Sequence, residues 1–374
     1  MKNNKNIIKY FDLKEQYKSI KDEIDKKAIE VIKSSSYSLG KYVDIFEDEF
    51  ANFNRSKYCI GLNTGTSALH LALLASNIGQ GDEVITVSMT FIATVMAISY
   101  VGAKPVFVDI NEHNKLIDIT KIEEKITSRT KAIIPVHLYG QCADMKEINK
   151  IAKKHNLTVI EDASQAHGAL LNNKNAGTYG NIGTFSFYPG KNLGAYGEGG
   201  ALITDNYKIK RKVESLRNWA QSNNRYKHNA ISYNYRMDGI QAGILSIKLK
   251  KLNYWTEKRR YIANIYQSGL KDVINCTLEE KNKYHVYHIF SVFHKNSKIL
   301  KDFLNTNNVA TNNHYPIPVH KQKPYKNLNY TDIELPNTVK CAKQQLSLPM
   351  YPELKKKDVL TIISLIKKWK FKNK

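Results

Sequence analysis

The sequence predicts an α/β domain built on a mainly parallel sheet, followed by a smaller α+β domain. Three observations predict it. Between Tyr58 and Ala201, short Val/Ile-rich runs alternate with helical stretches, the pattern of strands joined by helical crossovers. The polar motifs NTGTS, SMTF, HLYGQ and EDASQ each follow an apolar run, which puts them beyond the carboxyl ends of strands, where ligands collect in open α/β sheets. Beyond about Leu270 the alternation gives way to strand candidates, a Pro-containing loop and a terminal helix. The boundary is expected at 250/251, with the N-terminal segment and large domain in residues 1–250 and the small domain in 251–374.

Taken in order, Ile20, Ile24, Ala28, Val31 and Ile32 recur at helical spacing and predict an amphipathic helix before the loop SSSYSLGKY. A second helix is expected over Val43–Phe53. KYCIGLNTGTSALHLALLAS reads as strand, tight turn and a helix starting near Thr66. DEVITVSMTFIATVMAISYVG repeats strand, turn and helix. PVFVDI is a strand. A charged helical region leads to the strand AIIPVHLYG. MKEINKIAKKHN is an amphipathic helix and LTVIEDAS an apolar strand. GNIGTFSFYP is strand-like and runs into Lys191. A helix follows around Lys208–Trp219, then a polar loop and one long helix from Asp238 into Tyr266. The last elements are strand candidates in Tyr284–His294 and a helix near Lys356–Trp369.

The chain has 374 residues, 42% hydrophobic and 24% charged, enough for two domains with real cores. Its formal net charge is +23. That charge is scattered over solvated faces or attracts an anionic partner. No long basic arm with interleaved aromatics is present, which argues against nucleic acid. Cys59, Cys142, Cys276 and Cys341 lie far apart with no CxxC pair, so no zinc site is expected. Few cysteines suggest a reducing compartment. With no signal-peptide core and no run approaching the ~20 apolar residues of a span, a cytoplasmic protein without membrane insertion is expected.

Chemistry converges on TFSFYPGKNLGAYGEGGA, which sets Lys191 between a strand-like run and a glycine cluster. Desolvation there would lower its pKa and make it a usable nucleophile, able to hold an aldehyde cofactor as a Schiff base; the bland reading is a surface lysine in a glycine loop. Thr66 and Ser67, at a Gly-containing helix start, read as an anion cradle or as ordinary capping residues. Asp162 ends a very apolar strand. A buried carboxylate there wants a cation, such as a pyridinium nitrogen; otherwise Asp162 caps the following turn, or Glu161 is the functional acid. Phe91 can lie over a flat ring or pack in the core. Gln165 and His167 can reach a ring hydroxyl or satisfy the loop. Ser186 can donate to a phosphate, and Tyr188 can donate or accept a proton.

Together the blocks NTGTSALHLAL, DEVITVSMTFIAT, GAKPVFVDI, TKAIIPVHLYGQCADM, VIEDASQAHGA, GTFSFYPGKNLGAYGEGGAL and YNYRMDGIQAGIL resemble the DegT/DnrJ/EryC1/StrS family of pyridoxal-phosphate nucleotide-sugar aminotransferases. They run in register from about Asp12 to Leu249, and HYPIPVH extends the match. The resemblance implies a fold-type I aminotransferase, pyridoxal 5'-phosphate with its pyridoxamine form as intermediate, and a homodimer with active sites between subunits. By position, it implies Lys191 as the Schiff-base lysine and Asp162 as partner of the pyridine nitrogen. Gln165 falls near the ring hydroxyl and Phe91 on the ring face. Thr66, Ser67 and Ser186 are implied phosphate contacts, and Asn234 an asparagine reaching the neighbouring subunit's phosphate.

Ser232, the stretch NWAQSNN and Arg225 depart from the family pattern in a loop expected to face substrate. The resemblance also implies glutamate as donor and, from FYPGKNLGAYGEGGA and the opening FDLKEQYKSIKDEI, amination of the C3 ketone of a dTDP-linked 6-deoxyhexose. Tyr188, Arg225, His314, Tyr315 and His320 are the candidate substrate contacts. C4 amination of a UDP- or GDP-linked sugar is the enzymatic alternative, and a regulatory or binding protein on the same fold the non-enzymatic one. Relatives that dehydrate sugars carry histidine in place of the lysine, so Lys191 argues against that chemistry.

Overall fold

A computed structural model describes residues 7–222, 224 and 226–372. Helix α1 (Leu13–Ser34) starts where Asp12 caps the Lys14 amide and ends at Ser35 in a left-handed conformation. Its inward stripe holds Ile20, Ile24 and Val31, while Ile32 is half-exposed. Helix α2 (Lys41–Asn54) drives Phe46 and Phe50 against Phe185 and Phe187 under the central sheet.

The sheet comprises β1 (Tyr58–Leu62), β2 (Glu83–Val87), β3 (Lys104–Val108), β4 (Thr130–Ile133), β5 (Thr158–Asp162), β8 (Ile182–Ser186) and β9 (Gly200–Thr204). The hairpin β6 (Leu170–Leu171) and β7 (Lys174–Asn175) stands apart from it. The strand order is β1-β9-β8-β5-β4-β2-β3. Pairings from β3 through β8 are parallel, and β9 runs against both of its neighbours. Successive strand residues alternate between two cores: Ile85, Ile133, Val159 and Ile203 face one side, Val84, Ala132, Ile160 and Leu202 the other. Burial on both faces explains why these strands read as unbroken apolar runs. Helices α3 (Gly65–Ala75), α4 (Ala93–Tyr100) and α6 (Tyr207–Arg217) cover one face; α2, α5 (Met145–Lys154) and α7 (Gly239–Leu249) cover the other.

Three expectations are corrected. The long helix from Asp238 is two, α7 and α8 (Leu252–Leu270). The Lys251 amide bonds back to the Lys248 carbonyl, a tighter turn that breaks the axis and lets Lys248 and Leu252 both face inward. The charged helical region contains only two 3-10 turns, Ile119–Lys121 and Glu123–Lys125. Within Tyr284–His294, strand is confined to β11 (Lys283–Tyr284) and β12 (Phe290–Phe293), because β11 pairs with β6 of the large domain and β12 with a different sheet.

That second sheet has the order β10-β12-β13, with β10 (Asn275–Cys276) and β13 (Gln345–Leu348) flanking β12. With α8, α9 (Ser297–Thr306) and α11 (Lys356–Lys372) it encloses a separate core around Tyr266, Phe290, Leu346 and Ile366. Helix α10 (Pro336–Gln344) leans on the large-domain core through Cys341 and Ala342. The N-terminal segment joins this second unit: Ile8 exchanges backbone hydrogen bonds with Asn308 and Ala310, and the Tyr10 carbonyl accepts from Met350. Among the described residues no helix is long and apolar enough to cross a membrane.

Candidate active site

The cradle is built by glycines. Thr64 caps α3, its Oγ1 accepting from the Ser67 amide at 3.0 Å. The first amides of a helix have no partner within it and favour an anion. A Cβ on Gly200 would lie 2.3 Å from the Thr64 carbonyl, and one on Gly65 would lie 2.6 Å from Ser186 Cβ. Two missing side chains therefore let the ends of β8 and β9 close on the start of α3, bringing Ser186 beside it. Thr66 is half-buried there. Ser67 is buried, and its hydroxyl donates to Asn63 Oδ1 at 2.7 Å.

Strand alternation separates the two candidate acids. Glu161 points to one face, where it accepts from the amides of Gly177, Tyr179 and Gly180 and meets His137 Nε2 at 2.8 Å. Those bonds consume it as a structural tie. Asp162 points to the other face. Its Oδ2 accepts from Thr94 Oγ1 at 2.8 Å and its Oδ1 from the Ser164 amide at 3.2 Å. It is 5% exposed, and among the described residues no cation lies in ion-pair contact with it. A buried carboxylate held by neutral donors suits a protonated ring nitrogen.

Lys191 follows the end of β8. Its amide donates to the Tyr188 carbonyl at 2.8 Å, while the Phe187 carbonyl accepts from Ala195 at 2.7 Å and folds the loop back on itself. The half-buried ammonium loses hydration, which lowers its pKa to about 8 against a smaller opposing pull from Asp162. Lys248 pins the loop from α7: its buried ammonium donates to the Gly194 carbonyl and lies 4.8 Å over the Tyr196 ring.

The ring-facing groups gather around these. Phe91 is 55% exposed, far from a core aromatic, and leans on Tyr315 with ring centroids 5.8 Å apart. Gln165 Oε1 accepts from the Tyr139 amide at 2.7 Å, and its Nε2 donates to the Tyr315 hydroxyl at 3.0 Å. Tyr139 adopts a left-handed backbone at φ 63° and donates its hydroxyl to the His314 carbonyl at 2.6 Å. The His314 ring stacks on Tyr10 and meets Ser347 Oγ at 2.9 Å; burial, then the Lys191 charge, pushes its pKa down to about 4.

His167 packs between the Phe185 and Phe187 rings, with its pKa pushed down to about 3 by burial and then by the Lys191 charge. His320 is buried behind the SMTF turn, its Nδ1 2.7 Å from Ser88 Oγ. Tyr188 is exposed. Asn234 is exposed on the loop after α6, its Oδ1 accepting from Arg236 Nε at 2.8 Å. Arg225 lies outside the described residues. Sequence reasoning missed Thr94, Tyr139 and Lys248. Thr94 carried a signal, one helical turn after Phe91, whereas Lys248 sits in KLKK and reads as a surface lysine. A cavity of about 460 Å³ lined by Ser56, Thr178, Asn181, Thr204 and Asp205 lies at the opposite end of β8 and holds none of the site groups.

An amine of lowered pKa, an unpaired buried carboxylate, an exposed aromatic and a helix-start cradle fit pyridoxal phosphate. Residues 18–367 match the DegT/DnrJ/EryC1/StrS aminotransferase family. The chain is 44% identical to a Geobacillus stearothermophilus protein named pleiotropic regulatory protein, over 96% of this chain and 97% of that one. It is 43% identical to the dTDP-3-amino-3,6-dideoxy-alpha-D-galactopyranose transaminase of Aneurinibacillus thermoaerophilus, over 97% and 99%. Its fold superposes on the crystal structure of S. venezuelae DesV in complex with a ketimine intermediate with a TM-score of 0.95 at 37% identity, covering 97% of this chain and 98% of that one. With its mainly parallel sheet and Lys191 site, the chain is a fold-type I α/β protein and belongs to the DegT/DnrJ/EryC1/StrS aminotransferase family.

Proposed function

We propose that this aminotransferase moves an amino group from glutamate to the C3 ketone of a dTDP-linked 3-keto-6-deoxyhexose, with pyridoxal phosphate as cofactor and a homodimer as the working unit. The observation that carries the reading is the pairing of Lys191, its pKa lowered to about 8, with the unpaired buried Asp162 across from it. Pyridoxal phosphate supplies an electron sink for the carbanion formed at the donor's α-carbon. Asp162 holds the proton on the ring nitrogen, and Thr94 orients Asp162. With the cofactor bound, Lys191 Nζ would take the proton from the donor's α-carbon and deliver it to the former aldehyde carbon of the cofactor, a transfer open to an amine that is partly unprotonated near neutral pH. The α3 start and Ser186 bind the phosphate, and Phe91 covers the ring. Transfer through the cofactor makes the scheme ping-pong.

The name of the Aneurinibacillus relative supports C3 amination of a dTDP-sugar. Asn234 supports the dimer: it is exposed on a loop that also leaves Tyr226 and Ile231 84% and 95% exposed, a surface open to a second copy. The regulatory name of the Geobacillus relative makes a binding protein the contrasting reading, although binding alone needs no amine of lowered pKa. The test is a panel of dTDP-, UDP- and GDP-linked 3-keto and 4-keto sugars with glutamate. The dTDP-linked 3-keto sugar should be aminated fastest, and Lys191→Ala should abolish turnover while the protein stays folded. Preference for a 4-keto sugar would overturn the position assigned. Failure of the purified protein to develop visible absorbance with added pyridoxal phosphate would overturn the enzyme.

A further inference from the structure

Asn192 directly follows Lys191, and its side chain bridges to the segment before β12. Its Nδ2 donates to the Val286 carbonyl at 3.0 Å, and its Oδ1 faces His288 Nδ1 at 3.2 Å. Turning the amide over would set Oδ1 against the Val286 carbonyl, acceptor against acceptor, so the bridge fixes its orientation. Since Oδ1 only accepts, His288 Nδ1 carries the hydrogen and Nε2 is left with its lone pair. Among the described residues none donates to Nε2, and the side chain is half-buried. Gly140 admits this arrangement: a Cβ there would lie 2.8 Å from Val286 Cγ2 and 3.1 Å from the His288 amide. Burial, then the charge of Lys191, holds the ring neutral, with Arg259 and His314 adding to the effect.

The bridge therefore holds a neutral acceptor against the residue that follows Lys191, within reach of the Lys191 charge and on a segment of the C-terminal unit. A carboxylate of the amino donor would meet this lone pair oxygen to nitrogen, which is repulsive. A hydroxyl meets it as donor to acceptor. Resting on the function proposed above, we propose that His288 Nε2 accepts a hydrogen bond from a ring hydroxyl of the acceptor sugar, making His288 a specificity-determining residue.

The test uses cofactor-loaded protein and follows the two half-reactions separately by the cofactor's visible absorbance in single turnovers. Calorimetry of the dTDP-linked amino sugar gives a readout independent of turnover. His288→Phe should leave the glutamate half-reaction within about twofold. It should weaken the sugar half-reaction and amino-sugar binding by about tenfold, the size of one neutral hydrogen bond. His288→Gln, which keeps an acceptor, should recover most of the loss. Wild-type protein should reject the deoxy analogue lacking the contacted hydroxyl, and His288→Phe should not distinguish it from the full sugar. If both half-reactions slow together and the Lys191 titration moves, His288 acts on the lysine and the proposal is overturned. Unchanged discrimination among deoxy analogues in His288→Phe overturns it as well. Should His288→Phe fail to fold, a wild-type protein indifferent to every deoxy analogue overturns it, and one that rejects a single analogue, with that preference kept by His288→Gln, upholds it. A wild-type protein that aminates no nucleotide-linked sugar removes the underlying function instead, a result distinct from all of these.

Discussion

Lys191 stands where an ammonium is poorly hydrated, and its chemistry follows from that placement. Its folded pKa of about 8 lies below the ordinary lysine value, so protonation favours the unfolded chain. From this group, stability is lowest below pH 8 and rises as pH climbs from 8 through the usual lysine range. The same shift sets reactivity. The rate at which cofactor-free protein captures pyridoxal phosphate should rise with pH, turn over near 8 and level off, whereas an ordinary surface lysine would still be gaining at pH 10. Because Asp162 raises the Lys191 pKa, Asp162→Asn should move the midpoint to lower pH; stopped-flow absorbance across pH checks both statements. Lys191 stood out because it lies between an apolar strand-like run and a glycine cluster, and an acid stood out at the end of the apolar strand VIED. The choice between Glu161 and Asp162 was not legible, since both end the same strand and only the backbone partners beyond it, Gly177, Tyr179 and Gly180, reveal which one is spent. The packing of Phe185 and Phe187 around His167 was likewise beyond the sequence, because it depends on which rings the folded strand end brings together.

At the level of elements, the site depends on how closely two strand ends approach one helix start. Gly200→Ala would place a methyl group 2.3 Å from the Thr64 carbonyl, against backbone that has no room to yield. The expected cost is about 1–3 kcal/mol of stability. The α3 amides would also be pushed away from Ser186, so affinity for pyridoxal phosphate should fall more than affinity for phosphate-free pyridoxal. Urea unfolding and cofactor titration measure the two effects. The strands and helices of the large domain were legible almost throughout, because burial on both sheet faces writes itself as apolar runs. The break between α7 and α8 was not, because a turn closed by one amide of Lys251 leaves the hydrophobic periodicity nearly unchanged. Nor was the role of α7 in holding the loop that carries Lys191, since Lys248 donates to the Gly194 carbonyl from a position that looks solvated.

Across the whole molecule, the two cores meet at the site: Lys191 and Asp162 belong to the large domain, and His314, Tyr315 and His288 to the C-terminal unit. The N-terminal segment ties in through the Tyr10 stack on His314. Asn234 is exposed on the loop after α6, and for it the shared-site dimer makes a sharp forecast. Lys191→Ala and Asn234→Ala subunits, co-expressed, should regain turnover that neither variant shows alone, because one site of a mixed dimer draws both residues from intact subunits. Activity no greater than that of the parents would rule out sharing. The sheet order carries a further consequence, for synthesis. In the central sheet β1 touches only β9, which pairs it from Tyr58–Thr204 to Leu62–Gly200. β1 therefore leaves the ribosome long before its partner exists. At ~5–20 residues per second it waits roughly 7–30 seconds without its partner in the central sheet. The loop bearing Lys191 lies between β8 and β9, so the same insertion of β9 that relieves this exposed edge also sets Lys191 in place. A nascent chain stalled before Gly200 would thus be both prone to aggregate and unable to capture its cofactor.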